Sequence, residues 1–267
     1  MISIKSLEEL SLIKESSQLV SKMLGILALE IYPGKNTFYL DKLAEEFIRD
    51  NRGIPAFKGL YDFPNTLCVS TNEQVVHGLP NNNPLYDGDI VSIDCGVFFN
   101  GYYGDVAYTF KVGDIDLNTK KLLEVTKRSL YIGISSCKIG NYIGDIGNNI
   151  QNYVEEKGYG VVRELVGHGL GKKLHEDPLI PNYGRKGLGE ELVEGMVLAI
   201  EPMVNQGTNR VKFHKDGWKV TSLDKQMSAH FEHNIALINK RTVLLSTYKY
   251  IYDSLGIKSK EEEPFIF

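Results

Sequence analysis

Apolar residues at Leu10, Ile13, Val20, Leu24 and Leu27 return at close to helical period, preceded by Ser6 and Glu9 at the spacing of a capping box. This predicts a surface helix ending near Pro33–Gly34. The stretch TFYLDKLAEEFIRD predicts a second helix over roughly 36–50, with Gly53 just beyond it. A third fits 118–135, and a fourth fits 145–157, where Gly158 stops it. Residues 66–70, 90–110, 197–204, 230–238 and 242–247 read as strands. Helices and strands, then helices and strands again, joined by hairpins, predict an α+β fold with a mainly antiparallel sheet. One domain is expected over 1–250. A C-terminal tail is expected over 251–267, its KSKEEEPFIF end (258–267) loose up to the final apolar residues.

Composition narrows the class. The 267 residues suffice for one large core or two small ones. A net charge of -4, with both signs interspersed, gives no basic surface for nucleic acid. Cys68, Cys95 and Cys137 are scattered, which points to a reducing, cytoplasmic setting. No apolar run approaches the ~18 residues of a membrane span, and the first residues lack the pattern of a signal peptide.

Candidate chemistry begins with SIDCGVFFNGYYGDVAYTF, residues 92–110. Asn100–Gly101 between two apolar runs is a type I′ hairpin signal, because both turn residues need positive φ. A two-residue loop sets Phe99 opposite Tyr102, Gly96 opposite Asp105 and Asp94 opposite Ala107. Asp94 and Asp105 then become diagonal neighbours on one face, while Val91, Ile93, Cys95 and Val97 form a core stripe on the other. From this segment alone two readings stand: a solvated hairpin face, or two carboxylates with a cation between them.

Further candidates favour the cation. VGHGLGKKLHEDP carries His168 and His175 in a Gly-rich stretch read as a loop. LAIEPMV and SAHFEHNIALI place Glu201 and Glu232 inside apolar strands. Four acidic residues on strands, without a matching run of Lys or Arg, and one imidazole make an oxygen-rich coordination set. It suits one or two divalent first-row ions rather than structural zinc, which prefers thiolates.

NEQVVHGLP, SIDCGVFFNGYYGDVAYTF, GHGLGKKLHEDP, LAIEPMV and SAHFEHNIAL together resemble the type 1 methionine aminopeptidases of the pita-bread fold. The resemblance runs from the first helix to about residue 247. It implies a curved, mainly antiparallel sheet with helices on its outer face and pseudo-two-fold halves. It implies two divalent ions, with cobalt, manganese, iron and zinc all compatible. Asp94 and Asp105 would hold one; Asp105 and Glu232 would bridge to a second, completed by His168 and Glu201. His77 matches the histidine that contacts the substrate backbone, and His175 the one that hydrogen-bonds the scissile carbonyl. Glu201 matches the proton shuttle, and Phe63, Cys68 and Trp218 match the methionine pocket.

Leu60 stands where the family often has Tyr, and Leu174 where Phe is frequent, so pocket width is open. His214, His230 and His233 match no role and are expected to be structural. The implied reaction removes an initiator methionine when the second residue is small, by attack of a metal-bridging water on the first peptide bond. The implied partner is the N-terminal peptide of a nascent protein, with transient ribosome proximity, no nucleic acid, no membrane, and a monomeric enzyme. Three competing readings exist: a proline-directed peptidase, which usually carries an extra N-terminal domain; a non-catalytic scaffold, which loses ligands; and a dinuclear phosphoesterase, which needs a basic phosphate site.

Overall fold

The computed structural model describes residues 2–258 and Phe265. Five α-helices are present among them: α1 (Leu7–Ala28), α2 (Thr37–Asp50), α3 (Leu117–Ser136), α4 (Ile143–Glu156) and α5 (Lys249–Leu255). The capping box forms as expected, with the Ser6 side chain accepting from the Glu9 N–H and Glu9 from the Ser6 N–H. Two helix pairs, α1–α2 and α3–α4, each precede antiparallel strands, in accord with the α+β expectation.

The first sheet joins β1 (Ile54–Pro55), β2 (Cys68–Thr71), β4 (Ile90–Phe99) and β5 (Tyr102–Lys111). A second joins β3 (Gln74–Val76), β11 (Val211–Phe213) and β12 (Val220–Ser222). The third holds β6 (Gly160–Val161), β10 (Met203–Asn205) and β13 (Ser228–His230). The fourth runs β15 (Arg241–Leu244), β14 (His233–Ile238), β9 (Val197–Ile200), β7 (Gly167–Gly169) and β8 (Glu176–Ile180). All pairs are antiparallel.

The β4–β5 hairpin has the expected register, with Asp94 opposite Ala107 and Gly96 opposite Asp105. Asn100 and Gly101 take φ of 50° and 87°, as a type I′ turn requires. Val91, Ile93, Cys95 and Val97 are fully buried in the main core with α1, α3 and α4 residues.

Three expectations change. The first helix is not superficial: it crosses β4 and β5, and α5 packs against it. Its small polar residues allow this. Ser16, Ser17 and Ser21 are buried and return their hydroxyls to carbonyls one turn back. A Cβ at Gly104 on β5 would run into the backbone of Ser16 and Ser17, so only glycine permits this contact. The helix also ends at Ala28, short of Pro33–Gly34.

The strands expected over 197–204 and 230–238 are each broken. Residues 201–202 separate β9 from β10, and residues 231–232 separate β13 from β14. Finally, the tail expected from residue 251 starts inside α5, whose Ile251 and Tyr252 are buried. Phe265 stacks against Tyr131 at 6.3 Å between ring centres, and residues 259–264 lie outside the described residues.

Candidate metal centre

The site is assembled from the hairpin upward. Asp94 and Asp105 share the face of β4–β5 that turns from the core. The Asp105 N–H donates to Asn234 Oδ1 (2.8 Å), which also accepts the Ser17 hydroxyl (2.9 Å), so β5, β14 and α1 fix this backbone together. Glu232, in the gap before β14, donates its N–H to the carbonyl of Ala107 (3.0 Å), the residue opposite Asp94. The Tyr248 hydroxyl lies 2.7 Å from the Ala107 carbonyl and 2.9 Å from that of Glu232, clamping the two segments. Glu201, in the other gap, has its carbonyl held by the Asn182 amide (3.0 Å).

His168 is not in a loop. It lies on β7, paired with Ala199 of β9 and Leu179 of β8. Its glycine neighbours misled the reading: Gly167 and Gly169 stand where a Cβ would meet the carbonyls of Ala199 and Asp177, so this tight strand needs them. His175 follows in the turn before β8, its ring edge-on to His168 with centres 4.5 Å apart.

One ligand atom each from Asp105, His168 and Glu232 falls within 4.8 Å of the others, a geometry able to hold a metal ion. His168 Nδ1 sits 2.9 Å from the Gly169 carbonyl and donates to it, which leaves the Nε2 lone pair facing inward. That nitrogen is 3.5 Å from Glu201 Oε1 and 3.9 Å from Asp105 Oδ2. A lone pair facing carboxylate oxygens is unfavourable unless a cation lies between.

Asp94 Oδ1, Asp105 Oδ1 and Glu232 Oε1 are likewise buried without a hydrogen-bond partner. Burial pushes the Asp94 carboxyl up to about 7. It also raises Asp105, Glu201 and Glu232 well above their ordinary values, and neighbouring carboxylates add to each rise. Burial and then the nearby His175 bring His168 down to about 4, keeping its imidazole neutral as a ligand must be. Among the described residues lining the cavity there is no Lys or Arg to neutralise the carboxylates. The donor set therefore fits divalent cations.

These groups form the floor of a cavity of about 450 Å³. Its wall contains every side-chain pocket candidate: Phe63 and Trp218 meet edge-to-face at 5.0 Å, and Cys68 pairs with Asp94 across β2–β4. Burial raises the Cys68 thiol well above its ordinary pKa, so it is a small neutral surface. Leu60 lines the cavity, whereas Leu174 is buried in the apolar cluster with Phe57, Phe63 and Cys68. His77 also lines it, in a left-handed backbone conformation (φ 57°). Burial lowers the pKa values of His77 and His175.

His230 corrects the expectation of a purely structural residue. It lines the cavity, and its buried Nε2 has no hydrogen-bond partner and lies 3.7 Å from Glu201 Oε2. The alternation that puts Phe231 and His233 opposite Glu232 also puts His230 on its side, so a signal was present. His233 is buried elsewhere, with Nδ1 2.8 Å from the Ser246 hydroxyl. His214 contacts Thr221 and does not line the cavity.

A model of "Metallopeptidase family M24" matches residues 11–239. The chain belongs to that family. Its place there is among the methionine aminopeptidases: the "Methionine aminopeptidase" of Clostridium perfringens is 47% identical over 93% of this chain and 100% of that one. The crystal structure of methionine aminopeptidase from Rickettsia prowazekii superposes with a TM-score of 0.91 at 38% identity, covering 92% of this chain and all of that one. This bears out the pita-bread architecture. Prolidase from Pyrococcus furiosus shares only the fold, with a TM-score of 0.74 at 23% identity over 91% of this chain and 65% of that one.

Proposed function

We propose that this chain removes the N-terminal methionine of nascent proteins whose second residue is small, as a type 1 enzyme using two divalent ions. The observation that carries the reading is the convergence of Asp105, His168 and Glu232 with unpartnered carboxylate oxygens on the floor of an apolar cavity. Asp94, Asp105, His168, Glu201 and Glu232 would hold the ions. When bound, such ions supply an acidified water and Lewis-acid polarisation of the first carbonyl.

The chain's own groups do the rest. Glu201, whose carboxyl burial raises well above its ordinary value, takes a proton and delivers it to the leaving amine. His77 and His175 donate N–H groups to the peptide beside the scissile bond. Phe63, Cys68 and Trp218 receive the methionine side chain, and Leu60 sets the width of that pocket.

We assign the reaction to the cytoplasm, near the ribosome, with a monomeric enzyme. Three free buried cysteines support the reducing setting, and no helix among the described residues is long and apolar enough to cross a membrane. The catalytic unit is taken to continue through α5, past residue 250.

The test is Met release from Met-Ala and Met-Leu peptides by chelated protein with cobalt, manganese, iron or zinc restored in turn. Faster cleavage of Met-Ala is expected, together with silence on Xaa-Pro peptides. Equal rates would overturn the selectivity, and no release with any metal would overturn the activity.

A further inference from the structure

The buried Lys5 forms an ion pair with the half-buried Glu176 that the proposed chemistry does not use. Lys5 is 7% exposed, and lysine is rarely this buried unless paired. Its Nζ lies 2.6 Å from Glu176 Oε2 and 3.2 Å from the carbonyl of Ser3. The other oxygen, Glu176 Oε1, accepts the N–H of Lys173 (3.0 Å), and Gly171 donates to the carbonyl of Lys173 (3.1 Å). One carboxylate thus closes the 171–175 turn with one oxygen and meets the ammonium with the other.

The surroundings are shaped for this pair. A Cβ at Gly171 would collide with the Lys5 stem and crowd Glu176 Oε1. At Gly195, whose carbonyl accepts the Lys5 N–H (2.8 Å), a Cβ would strike Ile4. Glu176 is also the strand partner of Gly169, beside His168. The next residue back along the chain is His175, whose ring rests on His168.

We propose that Lys5 is a positioning residue for His175, acting through the Glu176 carboxylate. Without the ammonium the half-buried Glu176 carboxylate loses its charged partner and turns toward the solvent already at its edge. Turning Glu176 releases Lys173 and moves the peptide that carries His175. This rests on the aminopeptidase reading for its kinetic readout, and on none of it for its spectroscopic one.

The experiment compares Lys5→Met, which keeps the stem, with Lys5→Arg, His175→Ala and the double variant on Met-Ala peptide. Lys5→Met should lower kcat about tenfold, the scale seen when a supporting partner is lost, with KM and metal affinity by calorimetry unchanged. Lys5→Arg should recover most of it, and Lys5→Met should cost nothing further in the His175→Ala background. In NMR, the ring Cε1–H resonance of His175, identified by its absence in His175→Ala, should move in Lys5→Met and return in Lys5→Arg.

A kcat loss that persists in full on top of His175→Ala, or an unmoved resonance, overturns the proposal. Should Lys5→Met not fold, Glu176→Gln carries the same readouts. A wild-type protein that releases no methionine sinks the aminopeptidase reading, and the resonance still decides this one.

Discussion

Asp94 and Asp105 stand on two unbroken ten-residue strands, whereas Glu201 and Glu232 stand in two-residue gaps where strands stop and restart. On the hairpin, a continuous ladder fixes each carboxylate, and the Asn100–Gly101 turn fixes the ladder. In the gaps, the ladder is absent and other contacts substitute for it. Asn182 holds the Glu201 carbonyl; Ala107 and Tyr248 hold the Glu232 backbone. Register places the first pair, with Asn234 adding one bond to the Asp105 backbone, while the second depends wholly on groups distant in sequence.

The largest expected effect strikes the hairpin. Asp105→Asn removes a ligand candidate shared by both proposed ions. Metal affinity by calorimetry and Met-peptide cleavage should both fall by more than the roughly 100-fold that an outer partner costs. Retained tight binding would break the assignment of the hairpin as the metal floor.

Next comes the cost of holding Asp94 without a cation. Its carboxyl sits near 7 rather than 3.8, so below pH 4 it is protonated in folded and unfolded chains alike and costs nothing. As pH rises from about 4 to 7, the unfolded chain loses this proton first and stability falls. In metal-free protein, Asp94→Asn should therefore match wild type near pH 4 and exceed it above pH 7. The gap should widen steadily as pH rises through that range. Thermal melts across that range with chelator present measure it, and a gap that closes as pH rises would contradict the sign.

Weaker effects belong to the gaps. Tyr248→Phe removes the hydroxyl that ties Glu232 to Ala107, and should weaken metal binding by about 10- to 100-fold with the hairpin intact. Pro202→Ala restores an N–H where β9 ends and frees the backbone, costing about 0.4–1 kcal/mol in denaturant melts. If Pro202→Ala instead abolished cleavage, the gap would be the more exacting of the two constructions.

The same contrast explains what was legible. The hairpin register could be read because Asn-Gly specifies one turn geometry and period-two alternation does the rest. The gaps were hidden because VLAIEPMV and HFEHNIALI are apolar enough to read as continuous strands. Pro202 was the local hint, since proline has no N–H for a central ladder. His230 was passed over for a different reason: it matched no role in the resemblance, although the alternation set it on the side of Glu232. Burial of α1 was masked by serines that look like surface residues but satisfy their hydroxyls within the helix. The short helix α5 was missed because KYIYDSL, seven residues long, carries too few turns to show a period.

The contact between α1 and α5 bears on how the protein is made. The first helix of the described chain is seated between a sheet that follows it and the last helix, so its partners are translated after it. Until residues near 250 have been translated, one flank of α1 has nothing to pack on. Synthesis of this protein therefore leaves an early apolar segment waiting for a late one, a long-range closure that slows maturation and exposes the nascent chain to aggregation.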